Sequence, residues 1–398
     1  MRLAFVVYGS LDEQSGGFRY DRRLVDHLRE RGHEVDVVSI PWSSYGSALT
    51  HNFWTGLPSR LSGYDAVLED ELCHPSLVGV NRRVDAPIVS IVHHLRSSEP
   101  RSRWLTAAYR AVERRYLRGV DGVVCNGETT RATVGALADL PAVVAPPAGD
   151  RFVSVGSTGT VCEDGGSADE GNFSDDRSDA SEDGDSGDGR NASEDGDSSG
   201  DTPVGRSFRI REPDPSEPLR LLFLGNLEPR KGAHTLLEGL ARVAGDWRLT
   251  VVGGVSDPEY GRRLRGRVGS LDLDDRVTFT GRLPDDVVAD HLARSHLLAV
   301  PSLYEGLGLV YLEAMAFGVP ALATTAGGAR EVVSHGESGV LVPPDDPSAV
   351  ADAVRRLLDD RDRLAAMSAT ARAQFEAHPG WDDAAADVEA LLDEVVSA

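Results

Sequence analysis

Short runs of β-branched and aliphatic residues, each followed by a helical stretch, occur in two successive blocks of this chain, and that repetition restricts the fold more than any other feature. In the first block the runs are Leu3 to Tyr8, Glu34 to Ile40, Ala66 to Glu69, Pro87 to Val92, Gly122 to Cys125 and Ala142 to Ala145. In the second they are Leu219 to Leu224, Arg248 to Val252, Arg276 to Thr280, Leu297 to Val300 and Pro320 to Ala323. Strands separated by helices pair in parallel through crossover connections, so each block predicts a doubly wound α/β sheet. A chain of 398 residues is long enough for two separate cores. The expected domains are therefore an N-terminal Rossmann-like unit over 1–153 and a C-terminal one over 206–380. The end of the chain is purely helical, over Ser348 to Asp359, Arg361 to His378 and Trp381 to Val396. The last piece, 381–398, is expected to pack back across the first domain and leave a cleft between the two.

Between the blocks, residues 154–205 are almost entirely Ser, Gly, Asp and Glu, with 15 acidic residues against Arg177 and Arg190. Such a segment cannot bury enough apolar surface to offset its ordering entropy, so it reads as a disordered acidic insertion in the interdomain connection. Two glycosylation sequons within it, at Asn172 and Asn191, read as chance matches in a cytoplasmic protein. The formal charge of -23 disfavours nucleic acid as a partner and fits a surface adapted to high salt, hence a halophilic host. Cys73, Cys125 and Cys162 lack the paired spacing of a disulfide framework or a structural zinc site. The N-terminal apolar run, Leu3 to Val7, is too short for a signal-peptide core or a bilayer span, which points to a cytoplasmic location.

The most informative segment runs from Pro301 to Pro320. It follows a strand, turns through Gly306 and Gly308, and enters a helix past Leu307 and Leu309. Backbone amides there would face the crevice beyond the strand ends, a suitable place for a diphosphate. Glu305 falls in the turn and Glu313 about two turns into the expected helix, so one carboxylate can meet a sugar hydroxyl and the other a ribose. Spacing alone would equally fit two solvated glutamates. The whole segment, with Gly318-Val319-Pro320, Gly327-Gly328 and Glu331 after it, resembles the Glu-x7-Glu signature of glycosyltransferase family 4. The resemblance implies the GT-B fold of two facing Rossmann-like domains, with Glu305 near the donor sugar and Glu313 on the nucleotide ribose.

Phe223 to Gly232 forms the first strand-to-helix turn of the second block and holds Lys231, the sole lysine of the chain. A cation there can neutralise the charge that builds on a departing nucleoside diphosphate. The resemblance makes Lys231 the phosphate-binding lysine, whereas Asn226 stands where family members commonly carry a second phosphate-binding arginine. Arg230 is the neighbouring candidate for that charge. In the first block, Gly16 and Gly17 let the backbone approach a ligand, and without a three-glycine fingerprint a nicotinamide dehydrogenase is disfavoured. With the helix exit Arg31-Gly32-His33-Glu34-Val35, this loop again resembles family 4, at the acceptor side of the cleft. His93 matches the family's histidine near the reacting carbon, with His94 as the alternative register, and Asn126 matches a small polar position near the donor. The stretch from Arg96 to Arg118 holds seven arginines against Glu99 and Glu113. Arg103, Arg110, Arg114 and Arg118 share one helical face and Trp104, Ala108, Val112 and Tyr116 another. That helix either covers the sheet with a solvated arginine face or rests on an anionic membrane surface.

Together these implications describe a retaining glycosyltransferase. It would move a sugar from a nucleoside-diphosphate sugar co-substrate to an acceptor hydroxyl on a glycan or lipid-linked acceptor, without a required metal or other cofactor. A nucleotide-sugar epimerase or a phosphorylase of the same fold, or a non-catalytic nucleotide-sugar-binding protein, are the other readings.

Overall fold

The computed structural model describes residues 1–12, 15–54, 56–152 and 216–398. The acidic tract 154–205, its two sequons and Cys162 lie outside the described residues.

Two six-stranded sheets, parallel throughout, organise the chain. The first contains β1 (Arg2–Tyr8), β2 (Glu34–Ile40), β3 (Ala66–Asp70), β4 (Ile88–Val92), β5 (Gly122–Cys125) and β6 (Ala142–Val144), in the order β2-β1-β3-β4-β5-β6. The second contains β7 (Leu219–Leu224), β8 (Trp247–Val252), β9 (Val277–Gly281), β10 (Leu297–Ala299), β11 (Ala321–Thr324) and β12 (Gly339–Val342), in the order β12-β11-β10-β7-β8-β9. Strand β12 adds a sixth strand to the five expected in this block. Its four residues pair with β11 between two helical stretches, too short a run to stand out by pattern.

Strands β3 and β4 are buried along their whole length and β1 beyond Arg2, as helices on both faces of a parallel sheet require. One side of the first sheet packs Phe5, Leu68 and Ile91 against Leu24 and Leu28 of the Gly16–Glu30 helix, and against Trp381, Val388, Leu391 and Leu392 of the Trp381–Ser397 helix. The final helix thus completes the core of the first domain. In the opposite direction, Phe152 inserts into the core of the second domain, where its ring meets Phe317 at 6.3 Å.

Strand order reverses between β1 and β3 in the first sheet and between β7 and β10 in the second. Crevices open at the carboxyl ends of strands at such reversals. The turns leaving β7 and β10 carry Lys231 and Glu305, those leaving β1 and β4 lead to Gly16 and His93, and β3 ends on Asp70.

Candidate active site

In the second domain, Lys231 and Glu305 reach across the reversal to each other. Lys231 Nζ donates to Glu305 Oε1 at 2.5 Å, and Ser302 Oγ donates to the same oxygen at 2.6 Å. Arg230 approaches Glu305 Oε2 at 3.4 Å while its other terminal nitrogen binds Glu228 at 2.7 Å. Burial alone would raise the Glu305 pKa, but the charges of Lys231 and Arg230 and hydrogen bonds from Lys231 and Ser302 hold it at about 2. The turn itself is built backbone to backbone: a Cβ on Gly327 would lie 1.9 Å from the Glu305 carbonyl oxygen, at a φ of +81°. Glycine is required there both by contact and by conformation.

The helix after this turn, Leu309–Met315, has seven residues. Glu313 accordingly sits just past its first turn, nearer the start than the sequence pattern placed it. So short a helix contributes little aligned dipole, which leaves the turn amides and Lys231 as the local complement to an anion. Glu313 is 3% exposed and pairs across the cleft with Arg19 of the first domain, with Arg151 at 3.9 Å on the same oxygen.

On the first-domain wall, His93 Nε2 hydrogen-bonds Asp21 Oδ1 at 2.9 Å and the His93 amide donates to Glu71 Oε2 at 3.1 Å. His94 turns away to Glu99 at 3.1 Å. Asp21, Asp70 and His93 bring one polar side-chain atom each to within 4.8 Å of one another. Within this trio the recorded hydrogen bond is the one between His93 Nε2 and Asp21, while Asp70 Oδ1 accepts from the Leu72 amide at 2.9 Å. Asn126 Oδ1 accepts from Thr130 Oγ1 at 2.9 Å, and its Nδ2 would lie 3.3 Å from a Cβ on Gly306. That same Cβ would be 2.4 Å from the His93 carbonyl oxygen, so the Glu305–Gly306 turn touches the His93 strand end directly. Gly17 lies against the His93 ring, and a Cβ on Gly16 would be 3.6 Å from Leu309.

The structure therefore gathers Gly16, Gly17, His93, Asn126 and Gly306 with Leu309 on one side, and Lys231, Arg230 and Glu305 on the other. Leu307 is buried at 4% exposure, and Gly308 takes a φ of +92° to start the helix. Asn226 lies beside Gly254, just past the end of β8. A Cβ on Gly254 would lie 3.5 Å from Asn226 Oδ1 and 3.1 Å from an Arg282 nitrogen, so the arginine just after β9 does occupy this neighbourhood. Sequence reading missed Arg282, Arg151 and Asp21. Asp21 was open to detection, because positions 21, 24, 25 and 28 share the buried face of their helix and an acid in that register needs a partner.

Residues 206–374 match the family described as Glycosyl transferases group 1. A GDP-mannose-dependent alpha-(1-6)-phosphatidylinositol monomannoside mannosyltransferase of Mycobacterium tuberculosis is 40% identical over 183 residues, 43% of this chain and 46% of the relative. The chain thus spans less than half the length of that curated relative. Sucrose-phosphate synthase of Thermosynechococcus elongatus has a TM-score of 0.75 at 21% identity, covering 100% of this chain and 99% of that one. HepE of Anabaena in complex with UDP-glucose has a TM-score of 0.69 at 16% identity and covers 100% of both chains. The fold is GT-B: two Rossmann-like domains facing a cleft.

Proposed function

We propose that this chain is a retaining glycosyltransferase that transfers a sugar from a nucleoside-diphosphate sugar to an acceptor hydroxyl on a glycan or lipid-linked acceptor. The observation that carries the reading is the Lys231–Glu305–Ser302 arrangement, a cation and an ionised carboxylate facing each other where the strand order of the second sheet reverses. Lys231 meets the departing diphosphate, together with the amides of Gly306 to Leu309. Glu305 accepts from donor sugar hydroxyls, and Glu313 from the ribose. Arg230 and Arg282 are the two candidates for the charge that Asn226 does not supply. Gly16, Gly17, His93 and Asn126 form the opposing wall, against the sugar and the acceptor. No step draws on a metal.

The mannosyltransferase relative places GDP-mannose first among the donors to test. With a panel of GDP-, UDP- and ADP-sugars, nucleoside diphosphate release is expected from one donor and is expected to collapse in Glu305→Ala. Tight donor binding with no release, even with lipid extract as acceptor, would instead fit a non-catalytic binding protein. Release with interconversion of the sugar and no transfer would fit an epimerase.

Contact with a membrane surface fits the same reading. No helix among the described residues is long and apolar enough to cross a membrane. The Arg103–Leu117 helix, however, leaves Trp104 74% exposed beside the exposed Arg103, Arg110 and Arg114, and buries only Glu113, Tyr116 and Leu117. Tyr45, in the segment that leads to the 83% exposed Phe53, packs its ring on Tyr109 of this helix at 4.7 Å. An indole among guanidinium groups suits the anionic interface of a bilayer. Vesicles rich in phosphatidylinositol are expected to sediment the protein and neutral phosphatidylcholine vesicles to leave it in solution. Trp104→Ala combined with Arg110→Ala should release it, and unchanged sedimentation of that variant would reject the assignment.

A further inference from the structure

A carboxylate in the middle of an apolar helix face is costly unless something in the core answers it. The Gly16–Glu30 helix buries Phe18, Tyr20, Leu24, Val25 and Leu28, and among them Asp21 at 0% exposure. Its Oδ1 meets His93 Nε2 at 2.9 Å, while Oδ2 is buried with no hydrogen-bond partner among the described residues. The His93 ring is held on further sides: Tyr20 meets it edge-on at 5.1 Å, and a Cβ on Gly17 would stand 3.1 Å from its Cδ2. The ring is 14% exposed, and its Nδ1 has no protein partner among the described residues.

We propose that Asp21 is a positioning residue for His93: it fixes the ring with Nε2–H donated to its own carboxylate and keeps the imidazole doubly protonated, a hydrogen-bond donor to the substrate and not a base. The inference rests on the reading that His93 faces the donor sugar. A buried carboxylate behind an imidazole sets its orientation and stabilises its cation, as in other histidine–aspartate pairs. With both ring nitrogens protonated, His93 has no lone pair for the acceptor's proton. That proton goes to a departing phosphate oxygen as the acceptor–carbon bond forms and the carbon–phosphate oxygen bond breaks.

The charged surroundings agree. Asp21 and Tyr20 face the ring from the helix, and Asp70 and Glu71 from the end of β3. Asn126 and Thr130 of the next turn are uncharged, and the second domain approaches through the Gly306 backbone. Burial alone would lower the imidazole pKa, but Asp21, followed by Asp70 and Glu71, raises it from 6.5 to about 9. Asp70 is itself pushed well up, by burial and then by Asp21. The folded value lies above the ordinary one, so the linked stability is full below 6.5 and is lost as pH rises through about 9.

The test is an imidazole NMR titration of the full chain as wild type, Asp21→Asn and Asp70→Asn, read beside kcat and KM against pH. In wild type His93 is expected to titrate near 9. In Asp21→Asn it should fall by about two units, since the first of the charges that oppose burial is lost while Asp70 and Glu71 remain. Asp70→Asn, which removes a charge that ranks behind Asp21, should move it by less than about one unit. On a donor that wild type turns over, Asp21→Asn should keep near-normal kcat at pH 6 and lose it at pH 8, with KM little changed. Several outcomes would overturn the proposal: a wild-type His93 near the ordinary value, an unmoved titration in Asp21→Asn, or an equal kcat loss at every pH. If Asp21→Asn does not fold, the wild-type and Asp70→Asn titrations still decide. If wild type turns over no donor, the transferase reading fails while the titration still judges the Asp21–His93 pair.

Discussion

Lys231→Ala is expected to cut kcat about 10²–10³-fold, the range seen when one preorganised electrostatic group is removed from developing negative charge. The loss should fall on kcat more than on KM, because the charge on the leaving diphosphate is greatest in the transition state. The variant should also be less stable. Without Lys231, the buried Glu305 keeps only Ser302 and the more distant Arg230, and stranding one member of a buried ion pair costs up to about 3–5 kcal/mol. Glu305 titrates at about 2 in the native protein against an ordinary 4.5. The stability linked to that depression is present above 4.5 and is lost as pH falls through 2. In Lys231→Ala the acid loss should end nearer 4.5 and be smaller overall. Adding Glu305→Gln to Lys231→Ala removes the stranded charge, so the double variant should melt above Lys231→Ala yet remain as inactive. Recovery of turnover along with stability would show that the pair acts structurally. Nucleoside diphosphate release at saturating donor and melting curves between pH 3 and 7 separate these outcomes.

What the sequence disclosed depended on whether the signal was local. Strand β1 stands out because all its residues from Leu3 to Tyr8 are buried and apolar, and a run covered on both faces needs no partner to be recognised. Lys231 and Glu305 stood out through their own turns, and the strand order brings them within 2.5 Å of each other although 74 positions separate them. Strand β12 was missed because four residues between helices carry no periodicity of their own; pairing with β11 makes them a strand. The cross-cleft pair of Arg19 with Glu313 was missed for a related reason: nothing near either residue in the chain names the other, 294 positions away. Trp104 shows the limit of helical phase. It shares a face with Tyr116, but the first turns of that helix project beyond the core, leaving one end of the stripe exposed and the other buried.

Trp381→Ala should destabilise the first domain by about 3–5 kcal/mol, the usual cost of emptying a large buried aromatic site. Trp381 is 5% exposed, its ring stands 5.3 Å from Tyr20 and 6.2 Å from His27, and its Nε1 donates to Asp150 Oδ1 at 2.9 Å. Asp150 also binds Arg23 at 3.2 Å, so the indole joins the start of the last helix to the residue before the chain crosses to the second domain. Without it the Trp381–Ser397 helix loses its leading contact on the sheet, whereas the second-domain core built around Trp247 and Phe223 is untouched. Denaturant unfolding should therefore show the first-domain transition moving to lower denaturant while the second stays in place, as two-domain chains allow. Val396→Ala, on the same helix but 42% exposed, should change stability by less than about 0.5 kcal/mol. The substitution also reaches the cleft, because Tyr20 lies between Trp381 and His93, with ring distances of 5.3 Å and 5.1 Å. A freed Tyr20 would loosen the His93 ring, so kcat should fall in Trp381→Ala under conditions where the domain remains folded. If the two transitions shift together, the last helix belongs energetically to both domains, and its assignment to the first core would be wrong.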